Sequence, residues 1–259
     1  MKITLIGAGN VGYHLGKRLF KKGIIIQQVY SRNLENATTL AKKIKAIPTN
    51  DLASITNQAE VYIIAVKDDA IAAVAKKISQ NKGMKNKLVV HTSVAASSQL
   101  IGNSFKHFGV FYPLQTFSKN RQIKFSNIPI CINADGKKDL LLLKKLGKKL
   151  SKKAAVINDE ERAILHVAAV IVNNFSNHLF HIGQQITAAE SIGFDLLMPL
   201  IQETVLKIEE QSPLDMQTGP ARRNDQKTIK KHLQYLQKFP EYAQLYALLT
   251  KSIQHAYRR

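Results

Sequence analysis

The first twelve residues, Met1-Lys2-Ile3-Thr4-Leu5-Ile6-Gly7-Ala8-Gly9-Asn10-Val11-Gly12, run a short apolar strand straight into a Gly-x-Gly-x-x-Gly turn. Each glycine has its own task in a dinucleotide site. Gly7 permits the tight turn, Gly9 lets backbone approach a pyrophosphate, and Gly12 lets the next helix pack close to the strand. Val11, Leu15, Leu19 and Phe20 then recur at helical spacing. Phosphates are expected where that helix starts, at Asn10 and Val11, because its first N–H groups and its macrodipole favour anions. The competing reading is a strand–helix turn without a ligand.

The next apolar run, Ile24 to Tyr30, should end beside the adenosine ribose. A site for NAD usually places Asp or Glu there, to accept from the 2′-hydroxyl. This chain has Ser31-Arg32-Asn33 instead. The planar fork of Arg32 suits a phosphate, and Ser31 and Asn33 can add neutral hydrogen bonds. The expected cofactor is therefore NADP(H); the alternative leaves Arg32 as a solvated surface charge.

Apolar runs alternate with helical patterns up to about residue 157, through Glu60–Val66, Lys87–His91, Phe108–Phe111, Ile128–Ile132 and Ala154–Ile157. That rhythm predicts an α/β fold with a doubly wound, mostly parallel sheet over 1–157. Beyond it the strand runs cease. Asn158 and Glu161 have capping-box spacing, and the helix they start is apolar on nearly every side from Ala163 to Val172, which predicts a buried central helix. Residues 158–259 are expected to form an all-helical substrate or dimerisation domain.

Lys and Arg number 38 against 18 Asp and Glu, a formal net charge of +20. Such an excess raises nucleic acid or an anionic membrane as partners. The densest lysine cluster, Lys137 to Lys153, is interleaved with leucines and reads as the solvated face of an amphipathic helix, without aromatic residues to stack on bases. Nucleic acid is therefore not expected. Nor is a membrane partner, since no uninterrupted apolar run reaches spanning length, and the strand beginning at Lys2 leaves no room for a signal peptide. A cytoplasmic location is the resulting expectation. Cys131, the lone cysteine among isoleucines, reads as a buried thiol, and no metal-ligand cluster is visible.

Ligands of open α/β sheets bind beyond the carboxyl ends of the strands. Three such ends are polar. Val66 leads into Lys67-Asp68-Asp69, where Asp69 either caps the next helix or faces the cofactor. Thr92 and Ser93 follow His91 and can reach the nicotinamide ribose or carboxamide. Tyr112 to Phe117 can wall the pocket.

On the long helix, His166, Asn173, Asn177 and Gln184 share a narrow stripe if each residue turns by 100°. His166 suits a proton donor to a carbonyl oxygen, and Asn173 with Asn177 suits a substrate carboxylate or carbonyl. A helix–helix hydrogen-bond network is the alternative. In Gln217–Asp225 a Gly-Pro turn precedes Arg222 and Arg223. Arg222 is the candidate carboxylate ligand; otherwise an arginine there only braces the loop.

These motifs together resemble one family along essentially the whole chain. They are Ile6–Gly16, Tyr30-Ser31-Arg32, His91-Thr92-Ser93, Tyr112–Phe117, Leu165–Ala169 with Asn173–His178, and Gln217–Arg223. It is the bacterial Rossmann-like family of NADP oxidoreductases whose carboxy-terminal helical domain was long of unknown function. It is similar in plan to pyrroline-carboxylate reductases and to the 6-phosphogluconate-dehydrogenase-like superfamily. Val94 departs from the glycine that often follows His-Thr-Ser in that family. The resemblance implies NADPH-dependent reduction of a small 2-oxo acid, ketopantoate foremost, with a cyclic-imine reductase and a non-catalytic NADP sensor as alternatives. It also implies a homodimer. The Lys-x-x-x-Asn pair of the better-known ketopantoate reductases is absent; Asn173-x-x-x-Asn177 stands in the comparable helix.

Overall fold

The computed structural model describes residues 1–257, which fall into two compact units, one from Met1 to Ala169 and one from Val170 onward. The first unit is built on strands β1 (Lys2–Ile6), β2 (Ile25–Tyr30), β3 (Ile47–Thr49), β4 (Val61–Ile64), β5 (Leu88–His91), β6 (His107–Pro113), β7 (Ile130–Ala134) and β8 (Ala154–Val156). They form one sheet in the order β3-β2-β1-β4-β5-β6-β7-β8. All neighbours are parallel except β6 and β7, which pair antiparallel. This is the mostly parallel Rossmann-like sheet that the alternating pattern predicted. Only β3 was not visible, being three residues long and carrying Pro48 at the sheet edge.

Helices α1 (Asn10–Lys21), α2 (Leu34–Ile44), α3 (Ile71–Ser79) and α4 (Lys137–Leu150) cover the sheet. Side chains alternate across it, so Ile3 and Leu5 of β1 join one core while Ile6 joins the other. Leu15, Leu40, Leu143 and Leu146 complete the first core, and Ile71, Ala75 and Ile78 the second. Burial on both faces explains why β4 reads as the unbroken run Val61-Tyr62-Ile63-Ile64. On α4 Leu143, Leu146 and Leu150 face inward, and Lys144, Lys145, Lys148 and Lys149 are exposed, as the amphipathic pattern predicted; Leu141 is exposed as well.

Helix α5 (Asp159–Ala169) begins with the reciprocal cap foreseen at Asn158 and Glu161. The Asn158 side chain accepts from the Glu161 N–H, and the Glu161 carboxylate accepts from the Asn158 N–H, each at 2.8 Å. A π-helical stretch, Val170–Phe175, leads into α6 (Ser176–Ala189). Then come α7 (Met198–Glu210), α8 (Pro213–Met216), α9 (Gln226–Tyr235) and α10 (Pro240–Ala256).

Two expectations change here. The apolar helix is not buried within the chain: Ile164 is 72% exposed and Val172 71%. All-round apolarity says that a helix needs covering, not that its own chain covers it. The stripe through His166, Asn173, Asn177 and Gln184 also fails as drawn, because the π stretch interrupts the helix. A π turn closes one residue later than an α turn, which rotates the remainder of the helix by about 100°. Asn173 instead lies inside the π stretch, its amide donating to the Asn174 side chain at 3.4 Å.

Candidate functional site

The sheet order reverses between β1 and β4, and the crevice beyond their carboxyl ends is where a ligand belongs. Glycine makes that crevice possible. Gly7 has φ of +127°, and a Cβ there would collide with the Ala65 carbonyl at the end of β4; one on Gly12 would strike the Gly7 carbonyl. A Cβ on Gly9 meets nothing within 4 Å, so this residue alone of the three faces open space. Helix α1 starts there without a side-chain cap and without an acid in its first turn. Its leading N–H groups and positive dipole end are left for an anion.

The open space is a cavity of about 630 Å³. Its wall brings together most of the cofactor residues expected from the sequence: Gly7, Gly9, Asn10, Val11, Ser31, Arg32, Val66, Thr92 and Ser93. Gly12 stays behind the turn, where it packs. Asp69 is exposed and off the wall; Asp68 lines it instead. The reason is local, since Asp68–Ala70 is a tight 3₁₀ turn ahead of α3 and Asp69 caps neither helix. Asn33 caps α2, accepting from the Glu35 N–H at 2.8 Å, which leaves only its amide N–H groups for a ligand.

Beyond the end of β5, Thr92 and Ser93 are buried and line the cavity. The Ser93 hydroxyl accepts from the Ala95 and Ala96 N–H groups and so shapes the turn after β5. His91 is fully buried behind it. Its Nδ1 accepts from the Ser93 N–H, so Nε2 carries the proton and donates to the Ser97 carbonyl at 3.2 Å. Burial pushes its pKa down to about 4, against a partial upward pull from the Ser97 carbonyl, and the ring stays neutral. Tyr112 lines the same cavity. Burial first, then the neighbouring Cys131 and Asp68, push its hydroxyl up to about 12, so it remains an O–H donor. Cys131 is buried, as expected, and burial raises its thiol pKa.

Two residues with no motif to announce them fix this turn. Arg162 of α5 is 1% exposed; it donates to the carbonyls of Val94 and Ala96 and, at 2.7 Å, to Asp159. Asp159 also accepts from the Ser97 hydroxyl and the Ser98 N–H, each at 2.6 Å. Burial alone would raise the Asp159 pKa. The Ser97 hydroxyl, Arg162 and the Ser98 N–H outweigh it and hold the carboxyl well below the usual carboxylate range. The signal was a basic residue three places after an acid at a helix start, which a sequence presents equally as surface charge.

Of the residues assigned to substrate chemistry, His166 belongs to the first unit and is not among those lining this cavity, whereas Asn173, Asn177 and Arg222 belong to the second unit. His166 is half-buried on α5, while Asn173 and Asn177 are exposed on the π stretch and α6. Arg222 is engaged with its own loop, donating to the carbonyls of Gln217 and Asp215, with its guanidinium 5.2 Å from the Tyr257 ring centroid. That is the bracing geometry. Asp225 caps α9 through Thr228. No cluster of three or more metal-ligating side chains occurs among the described residues.

Two family models match the chain. One, described as NADP oxidoreductase coenzyme F420-dependent, covers residues 2–95, and a domain of unknown function covers residues 128–253. No curated protein matches. Among solved structures, the one described as "putative NADP oxidoreductase BF3122 from Bacteroides fragilis" is 40% identical over 98% of each chain, with a TM-score of 0.90. An imine reductase from Myxococcus stipitatus in complex with NADP+ has 15% identity, a TM-score of 0.71, and coverage of 99% of this chain and 94% of its own. A pyrroline-5-carboxylate reductase from Coxiella burnetii has 18% identity, a TM-score of 0.59, and coverage of 99% and 98%. The last two are likenesses of fold. With the glycine-lined crevice and the match along its whole length, this chain belongs to the NADP oxidoreductase family that joins a Rossmann-like unit to a helical one.

Proposed function

We propose that the chain is an NADPH-dependent reductase of a small 2-oxo acid, with ketopantoate as the first compound to offer. What carries the cofactor half of this reading is the cavity wall that pairs the uncapped start of α1 with Arg32 at the end of β2. Among the described residues Arg32 has no carboxylate within ion-pair distance, so its charge is available to a 2′-phosphate. Bound there, the reduced nicotinamide supplies a hydride equivalent to an electrophilic carbon. The chain holds and orients: backbone N–H groups take the pyrophosphate, while Thr92, Ser93 and Tyr112 border the nicotinamide end. His166 is the candidate proton donor, and Asn173, Asn177 and Arg222 are the candidates for orienting substrate. The bracing of Arg222 makes it the least free of the four.

Reduction of a cyclic imine is the second reading, supported by the fold likeness to imine and pyrroline-carboxylate reductases. The test is consumption of NADPH by the purified chain offered ketopantoate, pyruvate and pyrroline carboxylate in parallel. Turnover of ketopantoate supports the first reading, and turnover of pyrroline carboxylate alone replaces it. Tight NADPH binding with no turnover of any compound points to a sensor. In an active enzyme, His166→Ala should lower kcat about a hundredfold or more while leaving cofactor affinity unchanged.

The helical unit supports a homodimer. Val172, Phe175, Leu196, Leu200, Leu206 and Leu248 are all exposed in one copy, and large apolar side chains so placed mark an association surface. The helix from Asp159 to Ala189 does reach spanning length, with a mean hydropathy of 1.2 over its most apolar window. Apolar run length alone does not register this, because polar residues break the run. Those residues, Asn173, Asn174, Asn177, His178 and His181, argue for a protein partner over lipid. The proposal keeps the chain in the cytoplasm with a small-molecule substrate and no nucleic acid.

A further inference from the structure

Lys119 belongs to none of the motifs, yet it lines the dinucleotide cavity. It sits in the connection between β6 and β7, and its ammonium donates to the Asn36 side chain at 3.1 Å, across 83 residues of sequence. Asn36 stands in the first turn of α2, just past Arg32 and Asn33, and lines the same wall. The lysine is thus held against the first turn of α2, the helix that follows Arg32 and Asn33.

Its position is built. His14, buried on α1, donates through Nε2 to the Ser118 carbonyl at 2.8 Å, and its ring packs 5.5 Å from that of Phe117. The Arg121 N–H closes a turn onto the same Ser118 carbonyl. The residue after Ser118 therefore leaves a fixed point, and its side chain runs past the Tyr13 ring, with the ammonium 6.0 Å from the centroid. Ordering a lysine has an entropic cost, since its four-carbon stem is among the most mobile of side chains. The partner it meets is neutral. Among the described residues neither Lys119 nor Arg32 pairs with a carboxylate, so the wall of one cavity carries two cationic side chains without an ion-pair partner. A doubly charged phosphate on the ribose 2′-oxygen is the dinucleotide group that would take both.

We propose that Lys119, delivered by the β6–β7 connection, is a specificity-determining residue that reads the 2′-phosphate of NADPH together with Arg32. This rests on the NADPH preference proposed above and adds a second, non-contiguous cation to it. Arg32 supplies the planar fork from the β2 end, and Lys119 supplies a point charge from the other side. Asn36 acts as the neutral rest that holds the ammonium when no phosphate is there.

The test is binding of NADPH, NADH and 2′,5′-ADP to the purified full chain by calorimetric titration. Lys119→Ala should weaken NADPH and 2′,5′-ADP by about tenfold to a hundredfold, the usual range for losing a charge-assisted contact, with NADH unchanged within about twofold. Lys119→Arg should restore most of the loss. Equal weakening of NADPH and NADH would overturn the proposal by showing that the lysine only shapes the loop. Unchanged NADPH affinity would overturn it too. Arg32→Ala separates the two claims: if it abolishes the preference for NADPH and Lys119→Ala does not, the cofactor reading stands and this inference falls. A wild-type chain that binds both dinucleotides equally would sink both.

Discussion

The two units of this chain bury themselves to different degrees. In the first, Leu5, Ile63, Ile64, Leu143 and their neighbours are sealed on both faces of a sheet. In the second, the buried side chains are few: Ile182, Ala221, Ile229, Leu236 and Thr250 among the described residues. The first unit carries its own core and a finished cavity. The second has helices of similar length and apolar content but turns much of that content outward. Secondary structure and stability are thus separate outcomes. A sequence can specify helices whose packing partner lies beyond one copy of the chain.

The largest test of that contrast is a pair of truncations followed by thermal unfolding at several protein concentrations. Ile63→Ala should cost about 2–5 kcal/mol at every concentration, because it opens a cavity in a core the chain completes alone. Arg162→Ala comes next, at about 3 kcal/mol, since it strips a charge partner from Asp159 and hydrogen bonds from two carbonyls. It should also loosen the turn after β5 and raise the KM for cofactor. A fall in stability with cofactor affinity unchanged would show that the turn holds itself.

A pH series sharpens the same point within the first unit. The folded pKa of His91 lies at about 4, below the ordinary 6.5, so between those values the unfolded chain binds the extra proton. Its contribution is complete above pH 6.5 and lost as pH falls towards 4, amounting to about 3 kcal/mol when fully lost. Asp159, also lowered, adds a further loss below the ordinary carboxylate range. His91→Gln should flatten the upper part of the curve and leave the lower part. An unchanged slope between pH 6.5 and 4 would rule out His91 as its source.

The smallest effect belongs to the second unit. Val172→Ala should cost about 1 kcal/mol when two copies cover the helix, and the cost should vanish on dilution to monomer. A concentration-independent melting temperature in the wild type would break the comparison outright.

The parts of the fold that announced themselves were those where one residue type has one physical use. The glycines of the first turn, the apolar runs of β1, β4 and β5, and the cap at Asn158 and Glu161 are of this kind. Strand ends could be located because they terminate the runs, which is why Val66, Thr92 and Ser93 reach the cavity wall. What stayed hidden depends on geometry that composition does not encode. The π stretch has no distinctive residues, a 3₁₀ turn exchanges Asp68 for Asp69, and Arg162 and Lys119 look like any other members of a chain with 38 basic residues. Their meaning comes from partners far along the sequence.

The reversal of one strand has a wider consequence. Parallel neighbours need a crossover, usually a helix committed to covering the sheet, but antiparallel neighbours can be joined by loop alone. Because β7 runs against β6, the stretch from Leu114 to Pro129 is released from that duty apart from Phe117, Ile123, Phe125 and Ile128, which pack inward. The rest of it can exchange residues with little effect on the sheet, and its Lys119 lines the cavity. On the proposal that Lys119 reads the 2′-phosphate, selection between the phosphorylated and unphosphorylated dinucleotide would act at a place separate from the core, so cofactor choice could be engineered while the fold stays put.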